Sequence, residues 1–185
     1  MSDILLLGLN HNTAPVGLRE CIAFSGDETA VALESLKNEP TIKEVLLFST
    51  CNRVEVLLVT DRTEEAVETA KRFISDFNQV PVDQFENALY VHVGDEAVRH
   101  IFRVAASLDS MVVGEPQILG QVKEAYDKAV QGSATGLVLN RFMHKAFSTA
   151  KRVRTETRIA QAAVSVSFAA VELARKIFGD LTGKA

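Results

Sequence analysis

Residues 45–60 read VLLFSTCNRVEVLLVT, and this stretch decides the fold. It holds two apolar, β-rich runs, 45–48 and 54–60, with the small or polar residues STCNR between them. Runs of this composition around a short polar segment are typical of two neighbouring strands joined by a tight connection. The sequence therefore predicts a hairpin with Cys51 in the segment that joins its strands.

The segments on either side of this hairpin alternate between strand and helix signals. An apolar run at 3–9 precedes a helix predicted over 29–37, whose start is signalled at Ser25. After the hairpin, apolar residues recur at the helical period over 63–77, and 89–93 is a fourth strand candidate. The order β-α-β-β-α-β predicts an α+β fold, a split βαβ arrangement with helices packed on one face of a four-stranded sheet.

The second half of the chain is predicted to be helical. Residues 95–106 are amphipathic, and Pro116 stands at the first position of a helix expected to run to about residue 131. Residues 137–178 contain neither glycine nor proline and would form, as one helix, a rod of about 60 Å. The alternative to one straight helix is a kink at the β-branched, serine-rich stretch 164–167.

Small and apolar residues recur along this last helix at alternating steps of four and three. Their positions are Ala146, Ala150, Val153, Thr157, Ala160, Val164, Ser167, Val171, Ala174 and Phe178. A seam of this period is typical of helices that pack together. It either covers the helix's own domain or forms a partner surface, and because little chain remains to cover its far end, we predict an oligomer.

The composition is that of an ordinary globular protein. Of 185 residues, 47 % are hydrophobic and 24 % are charged, and no apolar run approaches the ~18 residues of a membrane span. The opening MSDILLLGLN contains an acid and no basic segment, so we interpret it as a strand and not as a signal peptide. Two cysteines 30 positions apart form neither a disulfide framework nor a metal spacing, which favours free thiols in a reducing cytoplasm.

The net charge of −4 argues against a general affinity for nucleic acid, but the basic residues are clustered. Six of them lie between Arg141 and Arg158, against the single acid Glu156. A local basic helix can bind phosphates within an acidic protein, because charge effects are screened beyond about 10 Å. A solvated helix face explains the run equally well.

Cys51 is the strongest candidate for a chemical role. It interrupts two apolar strands where a sheet presents side chains to a ligand, and the cation Arg53 follows two positions later. A nearby cation favours the thiolate, which is the nucleophilic form of cysteine. The alternative is a buried cysteine at a turn with only a structural role.

His100 lies beside the apolar stripe of the helix 95–106. It is either simply packed there or, if the fold brings it near Cys51, an acid or base.

Gln117 and Gln121 are four positions apart and share one face of the helix that Pro116 opens, with Ser110 and Glu115 just before it. These residues form either a hydrogen-bonding cluster or a solvated face.

The glycines contain no G-x-G-x-x-G and no phosphate-loop pattern, so no dinucleotide site is predicted. The final residues FGDLTGKA are typical of a loop that leads into another domain, and we expect the chain to stop before one.

Four segments together resemble glutamyl-tRNA reductases. They are GLNHNTAPVGLRE (8–20), FSTCNRVEV (48–56), SLDSMVVGEPQILGQVKEAY (107–126) and AKRVRTETRI (150–159). The resemblance covers the whole chain in the family's order and spacing, and VSVSFAAVELA (164–174) resembles the start of the family's long spinal helix. It implies a ferredoxin-like antiparallel catalytic domain at 1–150, then the start of the spinal dimerisation helix at 151–185, before an NADPH-binding domain.

The resemblance also implies roles for individual residues. Cys51 would attack the ester of glutamyl-tRNA to leave a thioester, and His100 matches a histidine that is important for activity. The implied substrate-binding positions are Thr50, Asn52, Arg53, Ser110, Glu115, Pro116, Gln117 and Gln121. Arg53 is the natural partner of a substrate carboxylate. Ala106 and Ser107 stand where the family usually has serine and glycine, which affects the loop that presents Ser110.

The reaction implied by the resemblance is reduction of the thioester by NADPH to glutamate-1-semialdehyde, a precursor of tetrapyrroles such as haem. It further implies a cytoplasmic protein that uses no metal, is a homodimer at full length and partners glutamate-1-semialdehyde aminotransferase. We predict that this chain carries out acyl transfer or ester hydrolysis without the reduction. The alternative is a non-catalytic tRNA-binding or dimerisation module in which Cys51 is structural.

Overall fold

A computed structural model describes residues 2–159 and 166–179 of the chain. Four strands form one sheet: β1 (Asp3–Asn10), β2 (Glu44–Thr50), β3 (Arg53–Thr60) and β4 (Tyr90–Val93). Their order across the sheet is β2-β3-β1-β4, and all neighbouring strands are antiparallel. Because β3 lies between β1 and β2, the sheet has the split βαβ topology, and the predicted ferredoxin-like α+β fold is confirmed.

The described helices follow the predicted order. They are α1 (Val16–Cys21), α2 (Gly26–Lys37), α3 (Thr63–Asn78), α4 (Asp95–Ala105), α5 (Gln117–Gln131), α6 (Leu137–Glu156) and α7 (Val166–Phe178), with two 3-10 turns, Val82–Gln84 and Glu86–Ala88, before β4. The predicted start of α2 is confirmed by a capping box, in which Ser25 and Glu28 each accept the other's backbone N–H.

Helices cover both faces of the sheet, and side chains of β3 alternate between them. The Thr60 hydroxyl points to the face of α2 and α3, where it donates to the carbonyl of Thr41, which contacts Thr69 of α3. Glu55 points to the opposite face and contacts His100 of α4. The two helices of the βαβ unit thus share one face, as predicted, while the helices of the second half cover the other.

A glutamate of β2 fixes the start of α6. The Glu44 carboxylate accepts the backbone N–H groups of Gly136 at 2.9 Å, Val138 at 3.0 Å and Leu139 at 2.7 Å. The first N–H groups of a helix have no partner within the helix, and α6 has no cap of its own at Gly136. A carboxylate satisfies these donors and is favoured by the helix dipole, so β2 and α6 are tied together.

The chain does not continue as one helix over 137–178, because α6 ends at Glu156. At Thr157 the backbone is extended, with φ −128° and ψ 167°, and the hydroxyl donates to the carbonyl of Val153 at 2.5 Å. Threonine hydroxyls compete in this way for backbone acceptors and so favour helix ends. The expected kink at 164–167 lies partly outside the described residues.

The first part of the predicted seam covers the domain itself, because Ala146 and Ala150 are buried in the core. Val171 on α7 is exposed, whereas Ala160 and Val164 lie outside the described residues. Within residues 2–159 and 166–179, no helix is both long and apolar enough to cross a membrane.

Candidate active site

Cys51 and Asn52 form the two-residue turn between β2 and β3, because Thr50 pairs directly with Arg53 in the ladder. The predicted hairpin is confirmed, and Cys51 is exposed, so the alternative of a buried cysteine is wrong. The turn is held through its backbone. The carbonyl of Cys51 accepts a hydrogen bond from Nε of Arg19 at 3.1 Å, and the carbonyl of Asn52 accepts one from the backbone N–H of His11 at 2.9 Å. These bonds fix the direction in which the thiol emerges.

A recess beside the turn brings most of the predicted site residues together. This inner recess encloses about 370 Å³ including its open mouth, and its walls come from the hairpin, the loop after α4 and the first turns of α5. Eight of the ten predicted residues line it, together with Ile118: Thr50, Cys51, Asn52, Arg53, Ser110, Glu115, Gln117 and Gln121. Pro116 immediately precedes Gln117, the first residue of α5, so it lies one position before the predicted first helical position. Residues 50–53 and 110–121 therefore meet in space, as the resemblance implies.

Arg53 is the most buried charge of the inner recess, with only 1 % of its side chain exposed. Its guanidinium bonds Glu55 at 2.8 Å and Asp109 at 3.1 Å, and it also donates to the backbone carbonyl of Asp109. Its Nε has no hydrogen-bond partner among the described residues, and neither has the shielded hydroxyl of Ser110. Buried polar groups are rarely left unpaired in native structures, so these two groups are available to a ligand in the recess.

Glu55 is the centre of a buried network that the sequence analysis did not identify. Its Oε1 lies 2.8 Å from Nη1 of Arg53, 2.5 Å from the hydroxyl of Tyr90 and 2.7 Å from Nε2 of His100. Burial alone would raise the pKa of Glu55, but the hydrogen bond from His100 and the charge of Arg53 lower it to about 2. Burial and the charge of Glu55 raise the pKa of Tyr90, so its phenol stays protonated and donates.

The sequence carries one sign of this network. Glu55 is the only charge between the apolar residues of 54–59, and an acid on a strand that is buried on both faces requires a partner.

Glycine at position 8 makes room for Glu55 on the neighbouring strand. Gly8 pairs with Glu55 across the ladder. A Cβ at Gly8 would lie 2.6 Å from the carbonyl oxygen of Val54 and 2.9 Å from Cα of Glu55. Any side chain there would push β3 away, so the close approach of the two strands requires glycine.

His100 contacts Glu55 and is absent from the lining of the inner recess. Its ring also packs against the rings of Tyr90 and His92, with centroids 5.3 Å and 5.1 Å away. Glu55 is two residues further along β3 than Arg53, a distance of about 7 Å at 3.3 Å per residue. His100 therefore contacts the site indirectly, through its hydrogen bond with Glu55, and does not hydrogen-bond Cys51 within the described structure.

The loop that carries Asp109 and Ser110 is closed by Ser107. This residue has a left-handed backbone, with φ 62°, and is completely buried. Its hydroxyl donates to the carbonyl of Glu115 at 2.7 Å, and its own carbonyl accepts the N–H of Gly114 at 2.9 Å. Glycine, which the family usually has at this position, adopts this conformation without strain. Serine is strained here, and the hydrogen bond of its hydroxyl compensates for that strain by closing the loop.

The basic end of α6 lies beside the start of α5. The guanidinium of Arg154 is 3.3 Å from the carbonyl of Pro116, at the edge of the inner recess. Arg152 pairs with Glu156 on the exposed face of the same helix, and Lys151 is also exposed. Part of the predicted basic run is thus next to the candidate site.

Among the residues for which the structure gives positions, no three histidine, cysteine, aspartate or glutamate side chains are grouped to hold a metal ion.

The chain is similar to known proteins over nearly its whole length. Residues 7–157 match the family described as glutamyl-tRNAGlu reductase, N-terminal domain. Glutamyl-tRNA reductases from Desulfatibacillum aliphaticivorans and Geobacter sulfurreducens are each 57 % identical over 182 residues, which is 98 % of this chain and 42 % of each relative. The solved structure of glutamyl-tRNA reductase from Methanopyrus kandleri matches with a TM-score of 0.76 at 37 % identity, covering 97 % of this chain and 41 % of that one. The chain thus spans about two fifths of the length of the relatives that it matches.

Proposed function

Because the chain belongs to the glutamyl-tRNA reductase family through its N-terminal domain, we propose that the Cys51 thiolate attacks the ester that links glutamate to tRNA. The sulfur–carbon bond forms as the ester carbon–oxygen bond breaks, and the ribose oxygen leaves with the electron pair and takes up a proton. The glutamyl group remains on Cys51 as a thioester. NADPH would supply the hydride that converts this thioester to glutamate-1-semialdehyde, a precursor of tetrapyrroles such as haem.

The observation that carries this proposal is the inner recess beside an exposed thiol. A glutamyl group presents one carboxylate, one ammonium and one reactive carbonyl. The free Nε of Arg53 suits the carboxylate, and the hydroxyl of Ser110 and the amides of Gln117 and Gln121 suit the ammonium. With the amino acid held there, its carbonyl carbon lies at the mouth, where Cys51 is exposed.

Arg53 needs an exact position to select a carboxylate, and Glu55 and Asp109 hold two of its nitrogens. We therefore interpret His100 as a positioning residue that acts through Glu55. With Nη1 and Nη2 engaged by Glu55 and Asp109, Nε is the guanidinium nitrogen left to donate to a substrate carboxylate.

The sequence holds no dinucleotide-binding glycine pattern, so we assign none of its residues to NADPH. The chain is expected to form the thioester, or to hydrolyse the ester, without the reduction. The division into a catalytic part (1–150) and a spinal helix (151–185), dimerisation, the aminotransferase partnership and the cytoplasmic location remain predictions.

The two cysteines provide a matched test, because both are exposed and free. Cys51→Ser is expected to abolish release of tRNA from glutamyl-tRNA, whereas Cys21→Ser retains the wild-type rate. Release is followed over time as free tRNA, separated from glutamyl-tRNA by acid gel electrophoresis. Undiminished release by Cys51→Ser contradicts the nucleophilic role.

The basic end of α6 favours a second candidate, a tRNA-binding module without catalysis. Arg154 lies against Pro116, so this surface would bring RNA phosphates to the same place in either case. Alkylation of the thiols distinguishes the two candidates. It stops tRNA release if Cys51 is the nucleophile, and it leaves tRNA binding unchanged if the domain only binds tRNA.

A further inference from the structure

Cys51 also lines a second recess, which Arg53 does not line. This outer recess lies between the end of β2, α2 and α5, and it encloses about 530 Å³ including its open mouth. Its polar lining consists of Thr29, Ser49, Thr50, Gln121, Glu124 and Lys128.

The two recesses are continuous along one face of α5. Both include Thr50, Cys51 and Gln121 in their linings. Gln117 begins the row in the inner recess, and Lys128 ends it in the outer one. Steps of four, three and four place residues 117, 121, 124 and 128 on a single helix face, over about 17 Å at 1.5 Å per residue. The result is a polar trough that passes the thiol.

The chemistry of an ester at Cys51 assigns the two ends of this trough. At the carbonyl carbon under attack, the amino-acid part and the departing oxygen extend in different directions. If the amino acid occupies the inner recess, with Arg53 and Ser110, the departing ribose extends out of that recess into a neighbouring space that also borders the sulfur. The outer recess is such a space, because Cys51 and Gln121 line both recesses.

A third recess at Cys51 suits the ribose less well. Its charged lining residues are Arg19 and Glu20. The guanidinium of Arg19 is already committed to the carbonyls of Cys51 and Ala14, at 3.1 Å and 2.6 Å. Glu20 then repels phosphate without a free cation in the same lining, whereas in the outer recess Lys128 stands beside Glu124 at 2.9 Å.

We propose, on the premise of the function given above, that the outer recess binds the 3′-terminal nucleoside of the charged tRNA, with Lys128 and Glu124 as its polar contacts. Lys128 pairs with Glu124 at 2.9 Å, but this pair is exposed and therefore weak, so exchanging it for ribose and phosphate groups costs little. The ammonium suits phosphate or hydroxyl oxygens, and the carboxylate suits ribose hydroxyls.

Two substrates separate this role from a general effect on the site. Glutamyl-tRNA carries the nucleoside, whereas a glutamyl thioester of N-acetylcysteamine delivers the same acyl group to Cys51 without it. Lys128→Ala is expected to lower acylation by subsaturating glutamyl-tRNA about tenfold, the effect of losing one charge-assisted contact. The Lys128→Ala variant is acylated by the thioester at the wild-type rate. The Lys128→Arg variant keeps most of the wild-type activity with tRNA.

Lys123→Ala is the matched control, because Lys123 lies on the same helix but lines neither recess. It is expected to acylate normally with both substrates. A Lys128→Ala enzyme that is unchanged with glutamyl-tRNA, or equally impaired with both substrates, overturns the inference while the proposed function stands. Failure of the wild-type chain both to be acylated by either substrate and to release tRNA from glutamyl-tRNA overturns the proposed function, and the inference with it.

Discussion

Replacing Glu55 by glutamine tests whether the buried charges beneath Cys51 stabilise the site. The three partners of Glu55, namely Arg53, Tyr90 and His100, all contact Oε1, at 2.8, 2.5 and 2.7 Å, while Oε2 has no partner among the described residues. A glutamine amide can place its oxygen where Oε1 lies. Glu55→Gln therefore keeps the shape and the accepting oxygen and removes the negative charge.

Two routes give the same magnitude for this change. Hydrogen bonds to charged groups contribute about 1.5–3 kcal/mol and neutral ones about 0.5–1.5 kcal/mol, so three bonds lose about 3 kcal/mol together. The pKa of Glu55 falls from its ordinary 4.5 to about 2. A shift of about 2.5 units at 1.36 kcal/mol per unit also corresponds to about 3 kcal/mol. We expect the free energy of unfolding to decrease by about this amount at pH 7.

The effect has a defined pH dependence. Because the pKa of Glu55 is lower in the folded than in the unfolded state, the charged carboxylate stabilises the fold fully above about pH 4.5. This contribution is lost as the pH falls from there towards 2. The difference in stability between the wild type and Glu55→Gln is thus constant from pH 7 to 5 and shrinks below pH 4.5.

Urea denaturation followed by circular dichroism at pH 7, 5, 4 and 3.5 measures this difference, with the exposed Glu65→Gln as a control expected to cost less than about 0.5 kcal/mol. A loss below about 1 kcal/mol at pH 7 refutes the reasoning, as does a loss that persists unchanged at pH 3.5. The variant should also bind glutamyl-tRNA more weakly, because Arg53 is less firmly held, while alkylation of Cys51 proceeds at the normal rate.

Three further changes test other parts of the structure. Glu44→Gln removes the charge that caps α6 and should cost about 1–2 kcal/mol in urea denaturation, and a loss within error contradicts the role of the cap. Gly8→Ala places a methyl group 2.6 Å from a backbone oxygen of β3 and should cost about 1–3 kcal/mol in thermal or urea unfolding; a neutral result shows that the strands can separate without cost. Charge reversal at Lys151 and Arg154 should weaken tRNA binding and reduce its salt dependence in filter binding, whereas reversal at exposed Arg99 on α4 should not; equal effects would mean a nonspecific charge response.

The sequence was sufficient for the elements whose signals are local. The hairpin around Cys51 follows from two apolar runs and a polar interruption, and the capping box at Ser25 follows from residue types three positions apart. The meeting of residues 50–53 with 110–121 came from the family resemblance. No spacing within this one chain specifies that contact, which depends on how α5 packs against β2.

Features that depend on tertiary contacts were missed. Glu55, Asp109 and Tyr90 come from a strand, a loop and another strand, and only the folded chain brings them to Arg53 and His100. His100 was therefore considered as a partner of Cys51, when its hydrogen bond is to Glu55.

The end of α6 was missed for a different reason. The expectation of a continuous helix over 137–178 rested on the absence of glycine and proline. The hydroxyl of Thr157 ends α6 by bonding to the carbonyl of Val153, a signal too weak to be read from residue types.

The central claim is that Cys51 carries the acyl group, and rapid mixing with glutamyl-tRNA, an acid quench and intact-protein mass spectrometry test it most directly. The Cys21→Ser chain is used so that Cys51 is the only thiol. We predict a mass gain of one glutamyl group, mapped to Cys51 by peptide analysis and rising in step with the release of free tRNA. Free tRNA appearing at the same rate from Cys51→Ser, or tRNA that stays charged in the presence of the folded wild-type chain, would contradict the account.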